Sequence, residues 1–281
     1  MARFDWYQAT VPSEVLAVRA GLASLSRRPW EPMKKAPQGY AFGDVLSDAD
    51  GPLVRVWWGG THEHPHVVAS GESAQAVAEL LRTDFPDHRV TRADVCTDYA
   101  EPGAYDRLQD LALAVAKERS IKVGTAGDHL LTFQGRTVYL GAPSSHTRLR
   151  IYDKAAELRA KFDGQFAKLA EIPAELARFE CQVRPQTREA KAIAARADPV
   201  ALMGSAAWMR ELVLRVDGLD LAPFQAGRAW RQADDDRAYA ALLAQYGGLL
   251  QRVKVDLGSW DCVGKQIGQD LADRQLARRT R

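Results

Sequence analysis

The sequence predicts an α+β protein: a mostly antiparallel sheet with helices packed on one face, followed by a mainly helical C-terminal part. Short runs of alternating polar and apolar residues recur up to Pro185, separated by turn residues such as Gly, Pro and Asp. Stretches with helical periodicity lie between these runs. Beyond Pro185 the chain becomes rich in Ala, Leu and Arg. We therefore expect an α+β domain over residues 1–200 and a helical C-terminal region over residues 201–281.

The individual elements follow from local periodicity and turn residues. Alternation predicts strands over residues 3–9, 40–46, 53–58, 66–70, 89–98, 129–134, 136–140, 147–153 and 176–184. Apolar residues at helical spacing predict helices over residues 13–22, 72–82, 102–119, 155–162, 187–197, 199–215 and 228–250. The strands at 129–134 and 136–140 should form a hairpin that turns near Gly135. One short strand is predicted over 252–257, inside the otherwise helical end.

Charge and cysteine content exclude several classes of protein. The formal net charge is only +2, so a nucleic acid would meet local basic patches instead of a global positive field. The three cysteines lie far apart without a C-x-x-C pair, which argues against a disulfide framework or a zinc ribbon and fits a reducing compartment. No apolar run reaches membrane-spanning length, and the amino terminus lacks a signal-peptide core. We expect a cytoplasmic protein with no membrane partner.

The predicted strand over 147–153 and the helix after it carry the most informative pattern. Because side chains alternate along a strand, one face presents Arg148, Arg150, Tyr152 and Lys154. Asp153 can cap the helix that follows. A phenol in a row of cations suits a nucleophile that attacks phosphorus, because the cations hold a phosphodiester and favour the phenolate. The alternative is a half-exposed aromatic side chain in a solvated row of charges.

Carboxylates on two other predicted strands indicate a metal site. Asp94 and Asp98 alternate on one strand and Glu180 lies on another, so they converge with Tyr152 if these strands are neighbours. Clustered carboxylates repel one another unless a cation lies among them, and hard oxygen ligands suit Mg²⁺ or Mn²⁺. Glu157, a little over one helical turn past Tyr152, is a further candidate ligand.

The same carboxylates also have a purely structural interpretation. Asp94 and Asp98 suit a strand end and a turn. Glu180 can pair with a nearby arginine, either Arg178 or Arg184. This alternative stays open at the level of the sequence.

Three histidines at alternate positions form a second cluster. If the segment is extended, His62, His64 and His66 lie on one face at metal-ligand spacing. Pro65 makes a loop equally compatible, and His66 is the candidate for an additional ligand of the carboxylate site. The sequence contains no P-loop, no dinucleotide-binding glycine pattern and no Gly-x-Ser-x-Gly elbow.

Three runs of the sequence resemble, in the same order, the motifs of the Rep_trans family of replication initiators from certain rolling-circle plasmids and filamentous phages. These runs are Thr91–Asp98, Arg148–Glu157 and Arg178–Arg184, and the segment Val67–Gly71 is also similar. The most specific part is the Arg-x-Tyr-Asp-Lys-x-x-Glu pattern over residues 150–157.

The resemblance implies a metal-dependent tyrosine DNA endonuclease and ligase that nicks one strand at a replication origin, with residues 1–200 as the nicking and joining domain. Tyr152 matches the family's nucleophile, which keeps the 5′ phosphate in a phosphotyrosyl bond, and Arg150 and Lys154 match its basic positions. The implied ligands of Mg²⁺ or Mn²⁺ are Asp94, Asp98, Glu157 and Glu180. The residues expected to contact DNA are Arg148, Arg150 and Arg184.

The resemblance also implies partners. They are origin DNA, as duplex and as an extruded single strand, together with a host helicase and a host polymerase. Apolar positions of the helical end, such as Leu242 and Leu249, are compatible with a homodimer and equally with packing within the chain. Two other functions stay open: a non-catalytic phage or plasmid DNA-binding regulator on the same scaffold, and a related strand-transferase of mobilisation or transposition.

Overall fold

The computed structural model describes residues 2–226 and 234–279. The chain divides into two compact units, Met1–Arg228 and Ala229–Arg281. The first unit contains a ten-stranded sheet with helices, and the second contains two long helices. The predicted α+β class with a helical C-terminal part is confirmed. The compact units divide after Arg228, whereas the sequence places the domain boundary near residue 200.

The sheet contains ten strands, and every paired neighbour is antiparallel. The strands are β1 (Arg3–Thr10), β2 (Glu31–Pro32), β3 (Phe42–Ser47), β4 (Pro52–Trp58), β5 (His66–Ser70), β6 (Arg89–Tyr99), β7 (Val123–Ala126), β8 (Thr137–Leu140), β9 (Thr147–Asp153) and β10 (Ala177–Val183). Their order across the sheet is β2-β3-β4-β5-β1-β6-β10-β9-β8-β7. The first strand in the chain therefore lies inside the sheet, and the last one separates β6 from β9.

The described helices are α1 (Val15–Leu22), α2 (Ser73–Asp84), α3 (Ala104–Glu118), α4 (Lys154–Lys161), α5 (Phe166–Ala170), α6 (Arg188–Arg196), α7 (Pro199–Leu202), α8 (Ala207–Asp217), α9 (Asp234–Leu257) and α10 (Trp260–Arg279). Helices α2, α3 and α6 pack on the sheet, and α8 packs against α3. Among the described residues, no helix is long and apolar enough to cross a membrane.

The core lies between the sheet and these helices. Val95, Ile151 and Cys181 are fully buried on the three neighbouring strands β6, β9 and β10. Because side chains alternate along each strand, the even-numbered residues of these strands point to the opposite face of the sheet. That opposite face carries the polar residues that the sequence singles out.

Two predicted strands are wrong. Residues 129–134 form a loop instead, and β8 pairs with β7. The physical reason is Asp128, whose carboxylate accepts hydrogen bonds from the backbone N–H groups of Leu130 and Leu131 at 2.9 Å and so folds the segment into a turn. Residues 252–257 belong to helix α9. The helix predicted over 228–250 is present from Asp234 onward, and residues 228–233 lie outside the described residues.

Candidate active site

Strands β6, β10 and β9 are neighbours, so the convergence that the sequence predicts is present in the sheet. Arg178 on β10 lies opposite Asp98 on β6 and opposite Tyr152 on β9. Two residues further along β10, Glu180 lies opposite Arg150. The three strands thus bring acidic side chains, guanidinium groups and one phenol onto the same face.

Tyr152 is buried at the centre of this arrangement, with 5% of its surface exposed. The Arg150 guanidinium lies 4.0 Å from the centre of the Tyr152 ring, and Lys154 Nζ lies 5.7 Å from it. The Tyr152 hydroxyl oxygen is buried and makes no hydrogen bond of good geometry with the described residues. The phenol is held by cations on its ring and is not fixed by a strong hydrogen bond at its oxygen.

The surroundings keep the Tyr152 phenol protonated. Burial raises its pKa well above the ordinary value, and the nearby Glu180 carboxylate raises it further. Arg150 and Arg178 oppose this effect but do not overcome it. Arg150 thus favours the phenolate, as the sequence predicts, but burial outweighs the two guanidinium groups and the net effect is a raised pKa.

The acidic residues of this face are ion-paired. Asp94 pairs with its strand neighbour Arg92 through two hydrogen bonds of 2.9 and 2.5 Å. The Asp98 carboxylate accepts a hydrogen bond of 2.6 Å from the Arg178 guanidinium. The Glu180 carboxylate accepts one of 2.7 Å from Arg150. The structural interpretation is correct only in that Glu180 is ion-paired: its partner is Arg150 and not Arg178 or Arg184, and Asp94 and Asp98 lie within β6 and not in a turn.

Burial separates the pKa values of these carboxylates. The pKa of Glu180 is raised to about 7, mainly by burial: Arg150 opposes that rise, and Asp94 and Asp5 contribute to it. Burial also raises the pKa of Asp94 against the effect of Arg92. For Asp98, the hydrogen bonds from Arg178 and Arg3 outweigh burial and lower the pKa.

Glu157 lies in the first turn of α4, which follows the strand of Tyr152 directly. The Asp153 carboxylate caps this helix by accepting the Ala156 N–H at 2.9 Å, as predicted. The Glu157 carboxylate accepts a hydrogen bond of 2.9 Å from Lys154 Nζ. Burial opposes ionisation of Glu157, but Lys154 and then the Tyr152 hydroxyl lower its pKa overall. An ionised carboxylate is therefore available beside the phenol.

The candidate metal ligands do not form a joint site in this geometry. Among residues 2–226 and 234–279, no group of three or more His, Cys, Asp or Glu side chains is arranged to hold a metal ion. Asp94, Asp98, Glu157 and Glu180 each contact their own cation. The donor chemistry suits a hard divalent ion, but the arrangement as it stands does not fit one.

The structure places His66 away from these carboxylates, with β1 between its strand and β6. His66 Nε2 lies 2.8 Å from the Gln8 amide, and its ring stacks on Trp57 with 5.6 Å between ring centres. The pKa of His66 is lowered to about 4, mainly by burial and to a smaller extent by the nearby His62 and Lys191. These contacts describe a neutral, stacked imidazole in the sheet.

Two of the three arginines expected to contact DNA, Arg148 and Arg184, lie toward the other end of β9 and β10. Arg148 stacks on Tyr139 at 4.2 Å, and Arg184 donates a hydrogen bond of 2.6 Å to the carbonyl of Pro143. Both side chains are partly exposed. A strand that runs along the polar face can therefore meet cations at both ends of β9.

Sequence reasoning missed three residues of the site, Arg178, Asp5 and Arg3. Arg178 is almost fully buried and contacts Asp5 at 2.6 Å as well as Asp98, and Arg3 adds a second partner for Asp98 at 2.6 Å. Asp5 lies where the β1–β6 register shifts between Phe4 and Trp6. A β-bulge re-aims a side chain, and nothing in the local sequence marks that position.

A cleft of about 530 Å³ opens beside the ion-paired cluster. Its lining includes Asp98, Arg178, Lys154, Gly71 and Lys168. The cleft is mostly polar in character and lies next to the strand end that carries Tyr152. It is the natural approach for a charged, extended ligand.

Fold and site together define an antiparallel α+β protein whose polar sheet face holds a phenol among guanidinium groups and carboxylates. No family model and no curated protein matches the sequence. Among solved structures, the chain is similar in fold to a rolling circle replication initiator protein from Geobacillus stearothermophilus, with a TM-score of 0.53 and 18% sequence identity. The match covers 79% of this chain and 98% of that chain. At this identity, the likeness shows the fold.

Proposed function

We propose that this chain is a rolling-circle replication initiator that nicks and rejoins one strand of origin DNA through Tyr152. The observation that carries the proposal is the position of the Tyr152 phenol, opposite Arg178 and beneath Arg150 on a polar sheet face. A fold similar to that of a rolling circle initiator supports it, as does the motif pattern around the tyrosine.

The proposed reaction is a transfer of the 5′ phosphate to the phenol. The Tyr152 oxygen attacks the scissile phosphorus, an O–P bond forms, and the bond between phosphorus and the 3′ oxygen breaks. The phenol proton passes to the Glu157 carboxylate, and the Lys154 ammonium gives a proton to the departing 3′ oxygen. Lys154 and Glu157 lie 2.9 Å apart, so the proton can return from Glu157 to Lys154.

The covalent intermediate keeps the energy of the broken bond. The 3′ hydroxyl can attack the phosphotyrosyl bond in the reverse direction, so rejoining requires no nucleotide cofactor. Arg150 and Arg178 would neutralise the negative charge that builds up on the phosphorus oxygens during the transfer. The low exposure of Tyr152 means that the strand must also uncover the phenol as it enters the cleft.

The proposal includes a bound Mg²⁺ or Mn²⁺ ion, and its only support is that the candidate ligands are carboxylate oxygens. Asp94, Asp98 and Glu180 offer hard oxygen atoms, and Glu157 adds a fourth carboxylate. The ion would polarise a phosphate oxygen when bound. Its binding would require the ion pairs that these carboxylates make with arginine and lysine to open.

The proposed partners follow from the reaction. Duplex origin DNA would be bound first, and the strand to be cut would be extruded as a single strand, because in-line attack needs an accessible phosphodiester. A host polymerase would extend the released 3′ hydroxyl, and a host helicase would open the duplex ahead of it. Arg148 and Arg184 would hold the strand on the polar face.

A second candidate function is a non-catalytic DNA-binding regulator on the same scaffold. Two observations favour it: Tyr152 is buried, and its pKa is raised and not lowered. In that case the guanidinium groups and carboxylates would stabilise the sheet, and DNA would be bound without being cut.

One experiment separates the two functions. The protein is incubated with supercoiled plasmids that carry candidate origins, the reaction is stopped with SDS, and the DNA is separated on an agarose gel that keeps the duplex intact. We expect relaxed circles and a fraction of protein attached covalently to DNA, with the attachment mapped to Tyr152 by mass spectrometry. Binding that leaves every plasmid supercoiled and unattached would favour the regulator.

A further inference from the structure

The loop between β7 and β8 exposes a cluster of large apolar side chains, which we name the apolar tip. Leu130 is 83% exposed, Leu131 is 84% exposed and Phe133 is 53% exposed. Three such side chains side by side on one loop are unusual for a surface that has no partner. The apolar tip is therefore a candidate contact surface.

The Asp128 side chain closes the turn that carries the apolar tip. The Asp128 carboxylate accepts hydrogen bonds from the N–H groups of Leu130, Leu131 and Thr132, all at 2.9 Å, and these donors lower its pKa. At the neck of the loop, a Cβ added to Gly127 would come within 2.2 Å of the Gly135 carbonyl oxygen. A closed neck and a capped turn present the apolar side chains at little entropic cost.

The apolar tip is joined directly to the strand of the proposed nucleophile. Thr137, the first residue of β8, lies opposite Tyr152 in the β8–β9 ladder. The Asp153 N–H donates a hydrogen bond of 3.1 Å to the Arg136 carbonyl, which continues the attachment toward the loop. Arg136 also lies 5.5 Å from the centre of the Phe133 ring and thereby links the tip to a cation. The loop is thus placed at the same end of β9 as Tyr152.

We propose that the apolar tip is a wedge that enters the DNA duplex next to the scissile phosphate and unstacks its bases. This inference rests on the proposed function, because it assigns the surface that makes the strand accessible to Tyr152. Apolar side chains that insert between base steps are a general means of opening a duplex, and the bases that they unstack give them an apolar partner. Arg136, at the neck of the loop, would hold a flanking phosphate once its ion pair with Asp106 opens.

The test compares wild type with the double variant Leu130→Ser, Leu131→Ser. Both side chains are almost fully exposed, so the fold should be unaffected. Leu16→Ser is the matched control, since Leu16 is 72% exposed on α1, outside the loop. A duplex is first selected from random sequence by binding to wild type, and its thymines are then probed with permanganate in the complex.

We expect wild type and Leu16→Ser to make thymines of the bound duplex reactive, and the double variant to bind the duplex but leave them protected. Nicking of that duplex should fall roughly tenfold in the double variant, whereas nicking of the same site in an unpaired bubble should not change. Equal permanganate reactivity of the double variant and wild type would overturn the wedge and leave a protein partner as the occupant of the tip.

The wedge and the proposed function fail in different ways. A wild-type protein that opens the selected duplex without cutting it supports the wedge and overturns the nicking activity. A wild-type protein that cuts a duplex whose thymines stay protected overturns the wedge alone. A protein that selects no duplex at all overturns both.

Discussion

Arg178 lies directly opposite Tyr152 in the β9–β10 ladder, and its guanidinium contacts both Asp5 and Asp98 at 2.6 Å. One buried cation therefore connects the bulge of β1, the end of β6 and the strand of the phenol. Burial works against the charge of Arg178, but the carboxylates outweigh it and raise the pKa of the guanidinium. This residue links the stability of the sheet to the geometry of the site.

Arg178→Ala should therefore destabilise the protein strongly. The substitution leaves Asp5 without its ion-pair partner and Asp98 with Arg3 alone, and both carboxylates are mostly buried. We expect the free energy of unfolding to fall by about 3 kcal/mol, measured by urea denaturation. The control is Arg107→Ala, which removes an exposed ion pair with Glu101 and should cost less than about 1 kcal/mol. Equal losses in the two variants would show that Arg178 has no special structural role.

Tyr152→Phe should separate chemistry from folding. Because the Tyr152 hydroxyl makes no hydrogen bond of good geometry, its removal should change the free energy of unfolding by less than about 1 kcal/mol. Covalent attachment to DNA should disappear, while duplex binding, measured by fluorescence anisotropy, should stay within about twofold of wild type. Tyr139→Phe, on the neighbouring strand opposite Arg150, is the matched control and should keep the covalent product. Attachment that persists in Tyr152→Phe would assign the nucleophile elsewhere.

Chelation tests the proposed divalent ion. We expect EDTA to stop nicking and Mn²⁺ or Mg²⁺ to restore it, with Glu180→Gln and Asp94→Asn requiring a higher metal concentration for the same rate. Glu118→Gln is a control, because Glu118 is half exposed and pairs with Arg215 outside the cluster. Nicking that is fully resistant to EDTA would leave charge neutralisation to the arginines, in keeping with the ion pairs that the carboxylates already make.

His66 should make stability depend on pH in the acid range. Its pKa falls from an ordinary 6.5 to about 4 in the folded protein, with burial as the main cause. The unfolded chain then binds the proton more readily, so the contribution of His66 is complete above about pH 6.5 and is lost as the pH falls toward 4. From about 1.36 kcal/mol for each pKa unit, the change is roughly 3 kcal/mol at most.

The measurement compares wild type with His66→Phe by urea denaturation between pH 4 and pH 8. The difference between the two proteins isolates the histidine, because Glu180, whose pKa is raised to about 7, acts in the opposite direction: its contribution is lost as the pH rises from 4.5 toward 7. We expect the stability advantage of wild type to shrink as the pH falls. A difference that does not vary with pH would show that His66 titrates normally.

Strand alternation predicted which residues share the polar face of the site, but not how deeply their side chains are buried. The pattern in β6, β9 and β10 correctly assigned Asp94, Tyr152 and Glu180 to one side of the sheet, because alternation is a local property of the backbone. Whether that side is open to water depends on the twist of the sheet and on the segments that cover it. The burial of Tyr152, and with it the raised pKa, could not be read from the strand itself.

The ion-pair partners of the carboxylates could not be predicted from the sequence either. Glu180 pairs with Arg150 because β9 and β10 are in the register that places them opposite each other. Arg178 and Arg184, the partners considered from the sequence, are closer in the chain but not across the ladder. The predicted strand at 129–134 failed for a related reason, since its apolar run suggests a strand while the hydrogen bonds of Asp128 impose a turn.

The position of β10 between β6 and β9 has a consequence for how the protein matures. Until β10 is added, β7, β8 and β9 can form only a meander with an open edge, detached from the first six strands. Arg178 and Asp5, which meet in the finished sheet, are 173 residues apart, and contacts between such distant residues form slowly. A chain that stops before β10 would thus lack the three-stranded polar face, and the candidate site would be completed only when β10 is added.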